Sequence, residues 1–240
     1  MNWPLPFNEV KIIIMDLYFD IRDLLNAYKR GLFPMAEDAC AETFFFYEPE
    51  NRGILPIDRF KISKSLKKEI RKKRFTITAD LDFKGVIDEC ARSTPERPKT
   101  WINKGIRDLF IALHQAGHAH SIECRDMGGR LAGGLYGLSL GAVFFGESMF
   151  SRETNASKVA LCHLMARLWK GGYTLVDTQF VNPHLLQFGA VEIPQQEYMI
   201  MLRKALLSKG QFFYEGAKES LSPDVIQSYF DYLEGFSQCS

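Results

Sequence analysis

The 240-residue sequence lacks most of the features that assign a protein to a class on sight. No apolar run approaches the roughly 20 residues needed to cross a bilayer, so no membrane-spanning helix is expected. The five cysteines (Cys40, Cys90, Cys124, Cys162, Cys239) are odd in number, widely spaced and without a CxxC pair. That usage excludes a disulfide framework and a thiolate zinc knuckle, and it fits a reducing cytoplasm. The opening MNWPLPFNEVKIIIMD has no basic segment ahead of its short apolar stretch, so an unexported chain is expected. Neither sign of charge dominates: 30 Lys and Arg against 29 Asp and Glu leave a net charge of +1, which excludes a uniformly basic nucleic-acid coat. There is no G-x-S-x-G elbow, P-loop or strand-to-helix G-x-G-x-x-G. Ser121, Ser148, Ser151, Cys124 and Cys162 have no evident activating partner, so covalent catalysis is disfavoured. His114 and His118 stand four apart without the glutamate of H-E-x-x-H, and His118 and His120 share a strand face without a third ligand. No metal centre is expected.

What remains is ordinary globular composition, 46% hydrophobic and 25% charged, with the charge unevenly placed. Arg59 to Arg74 (RFKISKSLKKEIRKKR) holds nine basic residues and one acidic residue. Ile62, Leu66 and Ile70 recur at i, i+4 and i+8, which predicts a helix with one apolar stripe. Its other faces would carry Lys64, Lys67, Lys68, Arg71 and Lys72, followed by Lys73 and Arg74. Phosphates are the natural partner of such a face. A solvated helix balanced by acids elsewhere is the alternative.

Along the chain, residues up to about 60 are rich in aromatics and turn formers and read as a small unit with a helix near Ile21 to Arg30. Phe75 to Thr78 reads as a strand. Asp82 caps a helix carrying Phe83, Val86, Ile87 and Cys90, and after the loop from Pro95 to Lys99 a second helix carries Ile106, Leu109, Phe110 and Leu113 and stops at Gly117. Three strands follow between His118 and Glu147. Asn155 or Ser157 then caps a helix that ends at Gly171-Gly172, before the strand Thr174 to Asp177. Strand, helix, strand with short joints is a right-handed crossover, so the strands ending near Glu147 and Asp177 should be parallel. Ligands bind beyond the carboxyl ends of such strands. Glu147, Asp177 and Gln179 are therefore the site candidates, and the alternative is that the two acids cap turns or pair with a cation such as Arg152.

Several blocks taken in order, Ala27-Tyr28-Lys29-Arg30-Gly31-Leu32-Phe33-Pro34-Met35, Thr100-Trp101-Ile102, Gly133-Gly134-Leu135-Tyr136-Gly137, Phe145-Gly146-Glu147-Ser148-Met149-Phe150-Ser151, Asn155-Ala156-Ser157-Lys158 and Leu175-Val176-Asp177-Thr178-Gln179, make the chain resemble the leucyl/phenylalanyl-tRNA–protein transferases. The resemblance covers nearly the whole chain. It implies an α/β (α+β) protein: a small N-terminal domain, residues 1–60, and an acetyltransferase-like (GNAT-like) mixed-sheet domain, residues 61–240, containing the crossover. It implies an enzyme that moves Leu or Phe, with Met also open, from aminoacyl-tRNA to a protein with N-terminal Arg or Lys, creating a degradation signal.

Carried over by position, Asp177 matches the proposed catalytic aspartate, Gln179 the glutamine near the reacting amine and Glu147 the acidic residue of the site. Leu135, Phe144 and Met149 fall where the family lines an aminoacyl pocket. Trp101 falls where it stacks on the terminal adenosine, with Tyr47 as the aromatic on the other side. The segment Phe46 to Arg52 replaces the family's W-S-P-D-P-R run, Leu168 stands where a Phe can line the pocket, and Cys124 to Arg130 departs in sequence. Whether Asp177 takes the proton or orients Gln179 stays open, as does transfer assisted by the ribose hydroxyl. The resemblance further implies no cofactor, a tRNA acceptor stem against the basic helix, no membrane and a cytoplasmic monomer. An acetyl-CoA-dependent N-acetyltransferase and a non-catalytic tRNA-binding protein are the competing readings.

Overall fold

The computed structural model describes residues 10–14, 19–94, 98–214 and 219–238. Cys239, the start of the chain and most of the segment Pro95 to Lys99, expected from sequence as a loop, lie outside the described residues. A small antiparallel sheet is built from β1 (Val10–Ile14), β3 (Phe45–Pro49) and β2 (Phe33–Met35), in that spatial order, with α1 (Ile21–Lys29) between β1 and β2 in sequence. Asp20 caps α1 by accepting from the backbone of Arg22 and Asp23, and Asp23 returns the bond in a capping box.

The large sheet has seven strands. Its order is β10 (Val191–Pro194), β4 (Asn51–Ile54), β9 (Leu175–Gln179), β8 (Val143–Ser151), β7 (Leu131–Leu140), β6 (Ala119–Arg125) and β5 (Thr76–Ala79). Every neighbouring pair is antiparallel except β8 and β9, which are joined by α5 (Ala156–Lys170). The crossover expected from sequence is thus present. β4, which the sequence reading placed in the N-terminal unit, is a strand of this sheet.

Helices cover both faces. On one side α1, α3 (Phe83–Ala91), α4 (Lys104–Gln115) and α7 (Gln195–Leu207) bury Leu24, Tyr28, Val86, Phe110 and Tyr198. On the other, α2 (Lys64–Arg71), α5 and α8 (Pro223–Gln238) bury Leu66, Leu164, Tyr229 and Phe230. The short α6 (Pro183–Leu186) joins β9 to β10. Asp82 and Asn103 cap α3 and α4 as local sequence requires, whereas Asn155 at the start of α5 is left-handed and makes no capping bond. Ser151 takes that role, accepting from Ser157 N at 3.3 Å. None of the described helices is long and apolar enough to cross a membrane.

Candidate active site

The site is made where β8 and β9 stop pairing. Their parallel ladder runs Val143 to Leu175, Phe144 to Val176 and Phe145 to Asp177, and ends there. On its other edge β8 carries a bulge, because Tyr136 faces Ser148 while Gly137 faces Gly146, so Glu147 is the extra residue. A bulge re-aims its residue and ends regular pairing. Gly137 permits the crowding there, since a Cβ would fall 2.5 Å from a ring carbon of Phe144.

Asp177 is wholly buried. Arg52 on β4 grips it through Nε, 2.9 Å from Oδ1, and Nη2, 2.7 Å from Oδ2. Tyr198 OH donates to Oδ2 at 2.5 Å, and the Gln179 backbone N–H donates to Oδ1 at 2.8 Å. The Arg52 guanidinium is buried too; it lies between the rings of Phe33 (4.6 Å) and Tyr198 (4.7 Å) and donates through Nη1 to Gly31 O at 2.8 Å. Burial opposes its charge, but Asp177 more than offsets this and holds the guanidinium above its usual range.

Gln179 has a positive φ of 58°, uncommon outside glycine. The turn closes with Phe180 N donating to Thr178 O at 2.7 Å. It lies directly on Gly53, where a Cβ would meet Thr178 Oγ1 and the Phe180 carbonyl carbon at 2.8 Å. With its carboxamide turned so that nitrogen faces acceptors, Gln179 Nε2 donates to Gly146 O at 2.8 Å and Thr178 O at 3.2 Å, bridging the split between the strands. Glu147 accepts from Tyr28 OH at 2.7 Å. Burial first, and then the charge of Asp177, push its carboxyl up to about 8, against the pull of the Tyr28 bond, so it holds its proton at neutral pH.

The three polar candidates therefore come together. Their cation is Arg52; Arg152 instead pairs with Glu89 through two bonds, 2.8 and 2.5 Å. Leu135 and Phe144 are buried in the layer facing α5, on the opposite side of the sheet from the Asp177 pair, and Met149 is half-buried against that layer. Trp101 is half-buried ahead of α4, its carbonyl accepting from Ala36 N at 3.1 Å. Tyr47 is buried, stacked on Phe33 at 6.1 Å, and so sits one ring away from Arg52.

On the basic helix, Lys64, Lys68, Arg71, Lys72, Lys73 and Arg74 are exposed, and Lys72 and Arg74 each pair with Glu69. Lys67 departs from the expected cationic face: it turns toward α8, pairs with Glu234 at 2.6 Å and lies over the Phe230 ring. His120 pairs with Asp80 at 2.7 Å and His114 bonds Ala119 O at 2.9 Å, and no described group of three or more His, Cys, Asp or Glu is arranged to hold a metal ion. Burial pushes the Cys124 thiol up to about 12 and raises that of Cys162 as well, as for inert core cysteines.

A sequence profile described as Leucyl/phenylalanyl-tRNA protein transferase matches residues 54–203, which include β9 and the β8 bulge. The chain belongs to this family. A curated leucyl/phenylalanyl-tRNA–protein transferase of Rhodopseudomonas palustris (strain HaA2) is 56% identical over 183 residues, 76% of this chain and 81% of that protein. One from Rhizorhabdus wittichii (strain RW1) is 54% identical over 184 residues, 76% of this chain and 73% of that protein. A solved structure, that of L-PGS from Bacillus licheniformis, has a TM-score of 0.40 at 11% identity over 77% of this chain and 70% of that one.

The cluster includes three groups that sequence reasoning did not nominate: Arg52, Tyr28 and Tyr198. Arg52 closes the segment aligned with the family's W-S-P-D-P-R run, and Tyr28 lies in the Ala27 to Met35 block, so both were within reach. Tyr198 stands in no motif and is brought in by α7 alone.

Proposed function

We propose that this chain transfers leucine or phenylalanine, and also methionine, from the 3′ end of an aminoacyl-tRNA to the α-amino group of a protein beginning with Arg or Lys. Family membership carries the reaction. The meeting of Glu147, Asp177 and Gln179 at the strand split supports this place for it. The crossover through α5 supports reading the body of the chain from residue 61 as an acetyltransferase-like catalytic domain, with residues 1–60 as a small domain whose β4 reaches into its sheet.

The donor is already an activated ester, so positioning and charge stabilisation suffice. The neutral acceptor amine attacks the ester carbonyl, forming the C–N bond. The C–O bond to the ribose breaks, and an amine proton ends on the released ribose oxygen. Gln179, braced across the split, orients the amine. Glu147, protonated below about pH 8, offers an O–H to the carbonyl oxygen as it becomes negative. The aminoacyl side chain lies against Met149, with Leu135 and Phe144 behind it. Trp101 stacks on the terminal adenosine, with Tyr47 as the aromatic on its other side, and Lys64, Lys68, Arg71, Lys72, Lys73 and Arg74 take acceptor-stem phosphates, with Lys67 bracing their helix. No cofactor or metal takes part, and the chain works as a monomer in the cytoplasm.

The test is transfer of radiolabelled Leu from Leu-tRNA to two peptides differing only in a first Arg or Ala, without ATP, metal or CoA. Label on the Arg peptide alone is expected. Label on both would refute the acceptor rule, and label on neither would refute the reaction.

A further inference from the structure

We infer that Arg52 and Tyr198 are positioning residues of the transfer reaction, acting through Asp177 to hold Gln179 in its left-handed turn. The inference rests on the transferase reading above and adds to it the division of labour within the site.

The argument is one of saturation. A carboxylate oxygen offers about two lone-pair directions. Oδ1 of Asp177 is filled by Arg52 Nε at 2.9 Å and Gln179 N at 2.8 Å, and Oδ2 by Arg52 Nη2 at 2.7 Å and Tyr198 OH at 2.5 Å. Its side chain has 0% exposure, so no substrate atom reaches it. Asp177 therefore acts through what it holds. Of the four donors only Gln179 reaches the split between β8 and β9, and its φ of 58° is a conformation that a glutamine keeps only when its surroundings impose it.

Arg52 and Tyr198 are matched to that task. Arg52 spends Nε and Nη2 on Asp177 and Nη1 on Gly31 O, a three-donor fork that lysine cannot supply. Tyr198 covers the guanidinium with its ring and reaches past it with its hydroxyl. Arg52 arrives on β4 and Tyr198 on α7, so the site requires both the strand inserted beside β9 and the helix packed over it.

The experiment uses Tyr198→Phe, which keeps the ring over Arg52 and the buried ion pair and deletes one bond to Asp177. Leu transfer to the Arg peptide is followed from pH 5 to 9, well below the melting temperature, alongside wild type. A fall in kcat of about tenfold or more is expected, with KM for Leu-tRNA and peptide within about twofold and the acid limb of the pH profile unmoved. A residue that only stabilises the fold would leave kcat of the folded variant unchanged, and that result would overturn the inference. A displaced acid limb would overturn it too, by making Asp177 the proton acceptor. Arg52→Lys should show the same kcat loss; full activity in that variant contradicts the need for a fork. A wild type that binds Leu-tRNA yet transfers to neither peptide defeats the transferase reading itself, an outcome separate from the others.

Discussion

Removing the Asp177 carboxylate tests how the site is tied to the fold. Asp177→Ala leaves the Arg52 guanidinium with no side-chain exposure and no counter-ion, its Nε and Nη2 donors unsatisfied between the rings of Phe33 and Tyr198. Breaking a buried pair from one side typically costs about 3–5 kcal/mol. Against a native stability of about 5–15 kcal/mol that is a large fraction, and for a chain of this size it lowers Tm by on the order of 10 °C. The loss should be read by urea and thermal denaturation. The double variant Arg52→Met with Asp177→Ala should recover most of it, because removing both partners of a buried pair is close to neutral. It should recover none of the transfer activity, because Gln179 loses its anchor in both variants. A single variant destabilised by under about 1 kcal/mol, or a double variant less stable than the single, would refute the account of Asp177 as the acceptor at the centre of the network.

Three further outcomes follow from the same structure. Converting Lys64, Lys68, Arg71 and Lys72 to Glu should weaken tRNA binding and flatten its dependence on salt, as measured by filter binding between 50 and 200 mM salt, about the range over which phosphate contacts show. Lys67→Glu should act instead through stability, since Lys67 is paired with Glu234 and covered by Phe230. The Glu147 carboxyl is raised from 4.5 to about 8, so its contribution to stability is complete below about pH 4.5 and is lost as pH rises through 8. Glu147→Gln should remove that slope in denaturation measured at successive pH values, and a slope unchanged in the variant would place its origin elsewhere.

The elements were legible because the signals for them are local. Asp82 and Gly117 mark helix ends within three or four residues of the groups they satisfy, and the α3 and α4 stripes fall where their spacing placed them. The crossover was legible for the same reason, since strand, helix and strand are consecutive and one handedness is allowed. Lys67 shows where this stops: its place on α2 follows from periodicity, but its partner lies 167 residues away on α8. Asn155 shows it too, since a good capping residue was bypassed once the strand ahead brought Ser151 to the helix start.

By itself the sequence determined the elements from α2 to β9, the parallel pair β8 and β9, the basic segment and, through its motif blocks, the family. Tertiary structure alone decided what Asp177 holds. Its cation comes from 125 residues earlier because β4 inserts between β9 and β10, and its second donor comes from a helix packed over the sheet. Strand order and helix docking follow from how all the apolar faces close together, and no local spacing records them. That is why the cation that local sequence offers the two acids in the alternative reading is Arg152, and why Arg52, far in sequence and adjacent in the sheet, is the actual partner of Asp177.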